Sequence, residues 1–147
     1  MAVPRKDYGK ESERAGTVEE VVYESKAYAA DEVDVKKTAY VYLPDGYSEG
    51  KEEDILYLVH GTGDDEKYWL KTNPYNKNML DHMIAEGDID PLIVVTPTFY
   101  VEDDCADDLD QLTYSFAKEL RNDLMPEIES SYSTYAKSAD DKGFSKS

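Results

Sequence analysis

Residues that usually carry chemistry are scarce in this sequence. Among 147 residues there is one cysteine, Cys105, and there are two histidines, His60 and His82. A single cysteine leaves no intrachain disulfide and no CxxC metal site. It lies within Glu102-Asp103-Asp104-Cys105-Ala106-Asp107-Asp108, where neighbouring carboxylates disfavour a thiolate and so a nucleophilic role. Two isolated histidines without ligand spacing make no zinc site, and no motif calls for a cofactor. Long apolar runs are missing as well, since nothing approaches the roughly 18 residues of a membrane-spanning helix. The opening Met1-Ala2-Val3-Pro4-Arg5-Lys6 has no apolar h-region, so no signal peptide is expected in this chain. Positive charge is also in short supply. Sixteen Lys and Arg against 33 Asp and Glu give a formal charge of −17. That balance excludes nucleic acid, which needs a basic surface to displace counterions, and it disfavours anionic membranes. Neutral polymers such as polysaccharides stay open. The acidic pairs Asp64/Asp65 and Asp103/Asp104 read as solvated loop charges rather than as a glycosidase dyad or a calcium site.

What is present is ordered along the chain. Residues 1–15 form a polar lead-in without pattern. From Thr17 to Tyr23 the sequence alternates and is β-branched, and a second strand from about Thr38 to Leu43 closes on the turn signal Pro44-Asp45-Gly46. With Ala29-Ala30-Asp31-Glu32 between them, the two are expected to pair as a hairpin. Ile55-Leu56-Tyr57-Leu58-Val59 and Leu92-Ile93-Val94-Val95 are continuous apolar runs, the mark of parallel strands covered on both faces. Between them, Met79, Leu80, Met83 and Ile84 stand at helical spacing from Asn76 to Glu86, ending at Gly87. A last helix is expected from about Asp108 to Tyr132, kinked or divided at Pro126. The order β-β-β-α-β-α is α/β, with an antiparallel start, a parallel core and an unfinished sheet.

The informative segment is His60-Gly61-Thr62-Gly63-Asp64-Asp65, directly after the apolar run 55–59. A glycine-rich turn at the carboxyl end of a parallel strand points backbone N–H groups into the ligand cleft of an open α/β sheet. An ordinary strand-to-helix turn would use glycine in the same place. The surroundings are more specific. Leu43-Pro44-Asp45-Gly46-Tyr47, the run 55–63 and then Trp69 stand in order. Ile84-Ala85-Glu86-Gly87 and Pro91 to Pro97 follow, then Glu119 to Pro126 with Ile128, Glu129 and Tyr132. This ordered set, over roughly residues 16–135, resembles the esterase D-like α/β hydrolases that act as feruloyl and acetyl-xylan esterases. Asp64, where many members carry glycine, and Glu53, where relatives often have an aromatic residue, depart from the pattern.

The resemblance implies a serine carboxylic ester hydrolase acting on plant cell-wall polysaccharide esters. The backbone N–H of Thr62 would be one oxyanion donor, with His60, Gly61 and Gly63 forming the loop. Trp69 and Tyr68 would line the cleft, and the parent enzyme would be secreted. His60 is expected to orient the loop and His82 to be structural. The family's GxSxG nucleophile elbow, acid and triad histidine have no counterpart here. Gly143-Phe144-Ser145-Lys146-Ser147 has serine in place of the last glycine, so Ser145 is a poor nucleophile, and 136–147 is expected to be a loop before the elbow. The chain is therefore expected to be a truncated fragment, inactive alone. It would bind a complementary carboxyl-terminal half, or itself, through the exposed edge of strand 55–59. The rival readings are a non-catalytic carbohydrate-binding module and a purely structural piece of the same scaffold.

Overall fold

The computed structural model describes residues 8–29, 31–101 and 109–134. Cys105, the Asp103/Asp104 pair, Ser145 and the loop 136–147 lie outside the described residues. Four strands form one mixed sheet: β1 (Thr17–Lys26), β2 (Asp34–Leu43), β3 (Asp54–Tyr57) and β4 (Leu92–Thr96), in the order β1-β2-β4-β3. β1 and β2 are the expected hairpin, in register from Thr17 opposite Leu43 to Lys26 opposite Asp34. β2 runs antiparallel to β4, with Val41 opposite Val95. β3 runs parallel to β4, with Leu56 opposite Val94. The sheet is open, with β3 at one edge and β1 at the other.

Period-two alternation along the strands separates two cores. Ala39, Val41 and Leu43 join Ile93, Val95 and Tyr23 on one face, covered by Leu124 and Ile128. Tyr40, Tyr42 and Val94 occupy the other face, beneath Leu70, with Trp69, Leu80 and Ile84 packed against them. The covering elements are α1 (Pro74–Ala85), α2 (Leu109–Glu119) and α3 (Met125–Ser131), with π-helical turns at Tyr68–Thr72 and Leu120–Leu124. Asn73 caps α1 through its side chain, with Pro74 in the first turn. Gly87 (φ +77°) follows the helix end in the left-handed region that favours glycine.

Two expectations are refined by the structure. The strand over residues 55–59 is paired only as Asp54–Tyr57, although Leu58 N–H still donates to Val95 O at 2.8 Å. The long last helix is divided, as expected around Pro126. The break is the wide turn Leu120–Leu124, in which Met125 N–H bonds Leu120 O, and Pro126 sits in the first turn of α3 where its missing N–H costs nothing.

One buried carboxylate fastens the hairpin to α1. Asp81, 1% exposed, accepts from Gly16 N–H at 2.7 Å, from the Tyr42 hydroxyl at 2.7 Å and from Lys77 Nζ at 2.8 Å. Gly16 is required there, because a Cβ would collide with the Leu43 carbonyl. Replacing Asp81 with alanine strands a buried hydroxyl and a backbone donor together. Asp81→Ala should therefore cost about 3 kcal/mol in urea denaturation, and a loss below about 1 kcal/mol would show that the tie is dispensable.

Tyrosines bind the layers in the same manner. Tyr23 donates to Glu119 at 2.6 Å, Tyr42 to Asp81, and the half-buried Tyr132 to Glu19 at 2.6 Å. Burial, reinforced by the adjoining carboxylate, raises each phenol well above its ordinary value near 10. The folded pKa lies above the unfolded one. The stability these phenols contribute is thus whole below about pH 10 and is lost as pH rises past it, when only the unfolded chain ionises. Absorbance at 295 nm should show these phenols ionising together with unfolding; independent titration near pH 10 in the still-folded chain would contradict this.

Candidate functional site

Parallel pairing of β3 and β4 brings the loops that follow them out at the same end of the sheet. The first carries His60 to Asp65, and the second carries Pro97 to Tyr100. His60 is buried between them, 5% exposed, with its ring stacked on Phe99 at 4.6 Å and on Tyr100 at 5.5 Å. Its Nδ1 lies 2.7 Å from Gly61 O and its Nε2 lies 2.8 Å from Thr98 Oγ1. A carbonyl only accepts, so Nδ1 carries the ring proton. Thr98 Oγ1 already accepts from Tyr100 N–H at 3.1 Å, which leaves its own hydrogen for Nε2. Nδ1 donating and Nε2 accepting, the arrangement of the Nδ1–H tautomer, matches every one of these bonds.

This bond orients the loop. The Gly61 carbonyl and the Thr62 N–H belong to one trans peptide, so they point opposite ways. Fixing the carbonyl against His60 and Asp64 N–H (3.2 Å) turns the Thr62 N–H outward. There it donates to no group among the described residues. Gly63, at φ +89°, completes the turn in a conformation that favours glycine, and its N–H donates to the Tyr100 hydroxyl at 3.2 Å.

Of the residues singled out from sequence, His60, Gly61, Thr62 and Gly63 come together as one exposed turn on a buried imidazole. Trp69 and Tyr68 lie in the π-helical turn 68–72 and meet edge to face at 4.9 Å. Trp69 packs against the core under α1 and its Nε1–H donates to Val59 O at 3.3 Å, so it braces the base of the loop. His82 bonds Lys10 O at 2.9 Å and stacks on Tyr8 at 5.5 Å, 22 residues along the chain from His60 and on a different element. Asp65 accepts from Lys67 N–H at 2.9 Å, a local turn bond. Among the described residues no serine is hydrogen-bonded to a histidine, and no group of three His, Cys, Asp or Glu side chains is placed to hold a metal.

The sequence reading missed Thr98, Tyr100, Lys37 and Glu119. Lys37 Nζ, on the inner face of β2, donates to Thr98 O at 2.6 Å and pairs with Glu119 at 2.7 Å. A signal for the first two was available: residues just past one parallel strand lie beside those just past its neighbour.

The chain is similar to known esterases in sequence and in fold. The Esterase family model matches residues 30–145. The chain is 40% identical over 111 residues to endo-1,4-beta-xylanase Y of Acetivibrio thermocellus, covering 76% of this chain and 10% of that protein. It is 36% identical over 106 residues to the endo-1,4-beta-xylanase/feruloyl esterase of Xylanibacter ruminicola, covering 68% and 14%. Among solved structures, a serine-to-alanine mutant of the feruloyl esterase module from Clostridium thermocellum, complexed with sinapinate, superposes with a TM-score of 0.75 at 35% identity. That match covers 95% of this chain and 44% of the module. A CE1 ferulic acid esterase from Anaeromyces mucronatus, at 24% identity and a TM-score of 0.73, shares the fold. The chain spans a small part of the curated relatives and under half of the first solved modules it matches. By sequence and by fold, this chain belongs to the Esterase family, with the open mixed sheet of the α/β-hydrolase feruloyl esterases.

Proposed function

We propose that this chain supplies the oxyanion arm of a serine ester hydrolase acting on feruloyl or acetyl esters of plant cell-wall polysaccharide outside the cell. The observation that carries the reading is the Thr62 N–H, turned outward by the His60–Gly61 bond at the carboxyl end of the parallel strands. A donor held in place before reaction stabilises the charge of a tetrahedral intermediate without reorganising. The nucleophile, its base and the second donor are not among the described residues, and the reading assigns them to a partner segment. The acyl group would pass from the sugar's ester oxygen to a serine, releasing the sugar hydroxyl, and then to water, releasing the carboxylic acid. The names of the relatives, feruloyl esterase and xylanase, support the substrate class.

The partner segment would dock on the outer edge of β3. Leu58 N–H points to β4, so by alternation Glu53, Ile55 and Tyr57 point the other way. On that side Glu53 N–H bonds Ser133 O at 3.2 Å, and a parallel bridge joins Glu53 to Thr134. Beyond it, β3 has no strand neighbour among the described residues, and Leu56 is 44% exposed. An unpaired edge of this kind accepts another strand.

Three outcomes are expected. Purified chain alone should show no saturable hydrolysis of methyl ferulate; saturable turnover would mean that a complete site exists elsewhere in these residues. In a polypeptide joining this chain to the carboxyl-terminal part of the solved Clostridium module, turnover should appear. There Thr62→Ala should keep most of it, while Thr62→Pro, which deletes the N–H, should lower kcat roughly 10²–10³-fold. A Thr62→Pro protein with native circular dichroism and normal kcat would remove Thr62 from the mechanism. Finally, the isolated chain should self-associate through β3 more strongly as salt screens its charge of −17. Sedimentation showing a stable monomer at high salt would rule the edge out.

A further inference from the structure

Lys37 and Glu119 form an ion pair whose partners lie 82 residues apart, and both side chains are about 95% buried. Glu119 also accepts the Tyr23 hydroxyl at 2.6 Å, and the Phe116 ring lies 5.7 Å from Lys37 Nζ. A pair so enclosed is a poor source of stability, because desolvating two charges offsets most of their attraction, and apolar replacements are often neutral or stabilising. Here burial pushes the ammonium down and the carboxyl up from their ordinary values, each opposed by the charge of the other. What the pair does have is a third partner, the backbone oxygen of Thr98 at 2.6 Å from Nζ.

Thr98 is the residue on which His60 depends. Its carbonyl is held by Lys37, its hydroxyl accepts Tyr100 N–H, and the hydroxyl hydrogen remains for His60 Nε2. With Nε2 accepting, the ring proton is on Nδ1, against Gly61 O. We infer that Lys37, clamped by Glu119, is a positioning residue for the oxyanion loop, acting through Thr98 and the His60 tautomer on the Gly61–Thr62 peptide. The inference rests on the Thr62 reading above for its catalytic meaning, but not for its geometry. Lys37 and Glu119 touch no substrate; they set the direction of a donor two side chains away. β2 can reach the site because it runs against β4, so its beginning lies at the end where the parallel strands finish.

The test reads the His60 ring directly. Nitrogen-15 NMR of the intact chain should show His60 as the Nδ1–H tautomer, with Nε2 unprotonated. An Nε2–H tautomer in the wild-type chain would overturn the inference at once, with no variant needed. In Lys37→Met/Glu119→Leu the pair becomes apolar and the fold should persist, judged by circular dichroism. The His60 ring should then average between tautomers, and the Thr62 amide resonance should shift and broaden. If that variant does not fold, Lys37→Met/Glu119→Gln keeps an acceptor for Tyr23 and carries the same expectation. Thr98→Val should reproduce the loss with the ion pair intact, whereas Thr98→Ser should restore the wild-type ring signals. A folded Lys37 variant with unchanged His60 and Thr62 signals would leave the pair a purely structural one. Failure of the acyl-transfer reading looks different: Thr62→Pro would keep turnover while the ring signals still responded to Lys37.

Discussion

The parallel pairing of β3 with β4 is the constraint on which the site depends. Parallel neighbours deliver their following loops to the same end of the sheet, and here those loops bring His60 against Thr98, Phe99 and Tyr100. Neither loop is held by regular structure. The first is a glycine turn, and the second leaves a strand at Pro97. Each is fixed by the other, through one imidazole with both nitrogens occupied. The hydrogen bonds across the gap replace those that strand or helix would have supplied, as buried polar backbone requires.

Antiparallel β2 adds what a wholly parallel sheet could not. Its first residues stand at the carboxyl end of β4, so a side chain from the start of β2 meets a loop from the middle of the chain. The same strand serves both layers. Tyr42 reaches Asp81 beneath α1, while Lys37 reaches Glu119 on α2 across the opposite face. The sheet is held to its two layers by apolar contact and, at each face, by a buried charge.

The elements were largely legible because they obey simple periods. The two apolar runs, the alternating hairpin and the i, i+3, i+4 spacing of α1 fall where the strands and helix form. The HGTG turn was legible as a loop because glycine marks it. Long-range polar partners were not. Lys36-Lys37-Thr38 reads as a solvated start to a strand, and period two gives the parity of Lys37 with Ala39 and Val41 but not its carboxylate. Glu119 shares a helix face with Leu112 and Phe116, which places it inward, yet nothing local distinguishes it from the acidic residues around it. Asp81 is hidden in the same way within α1. Trp69 looks like a cleft aromatic in sequence, since it follows the loop closely, but its bond to the Val59 carbonyl has no local signal.

The ties between the hairpin and the last helices bear on the order in which the chain can fold. Tyr23 waits for Glu119 across 96 residues, Ser25 and Tyr28 for Asp123 across 98 and 95, and Glu19 for Tyr132 across 113. Contacts this distant in sequence slow folding, because loops must close before they contribute. During synthesis the hairpin leaves the ribosome first, carrying an inward lysine whose counter-charge has yet to be made. Lys37 has no Glu119 to pair with until α2 has been made. The inward face of the hairpin is therefore complete only once its covering helices exist.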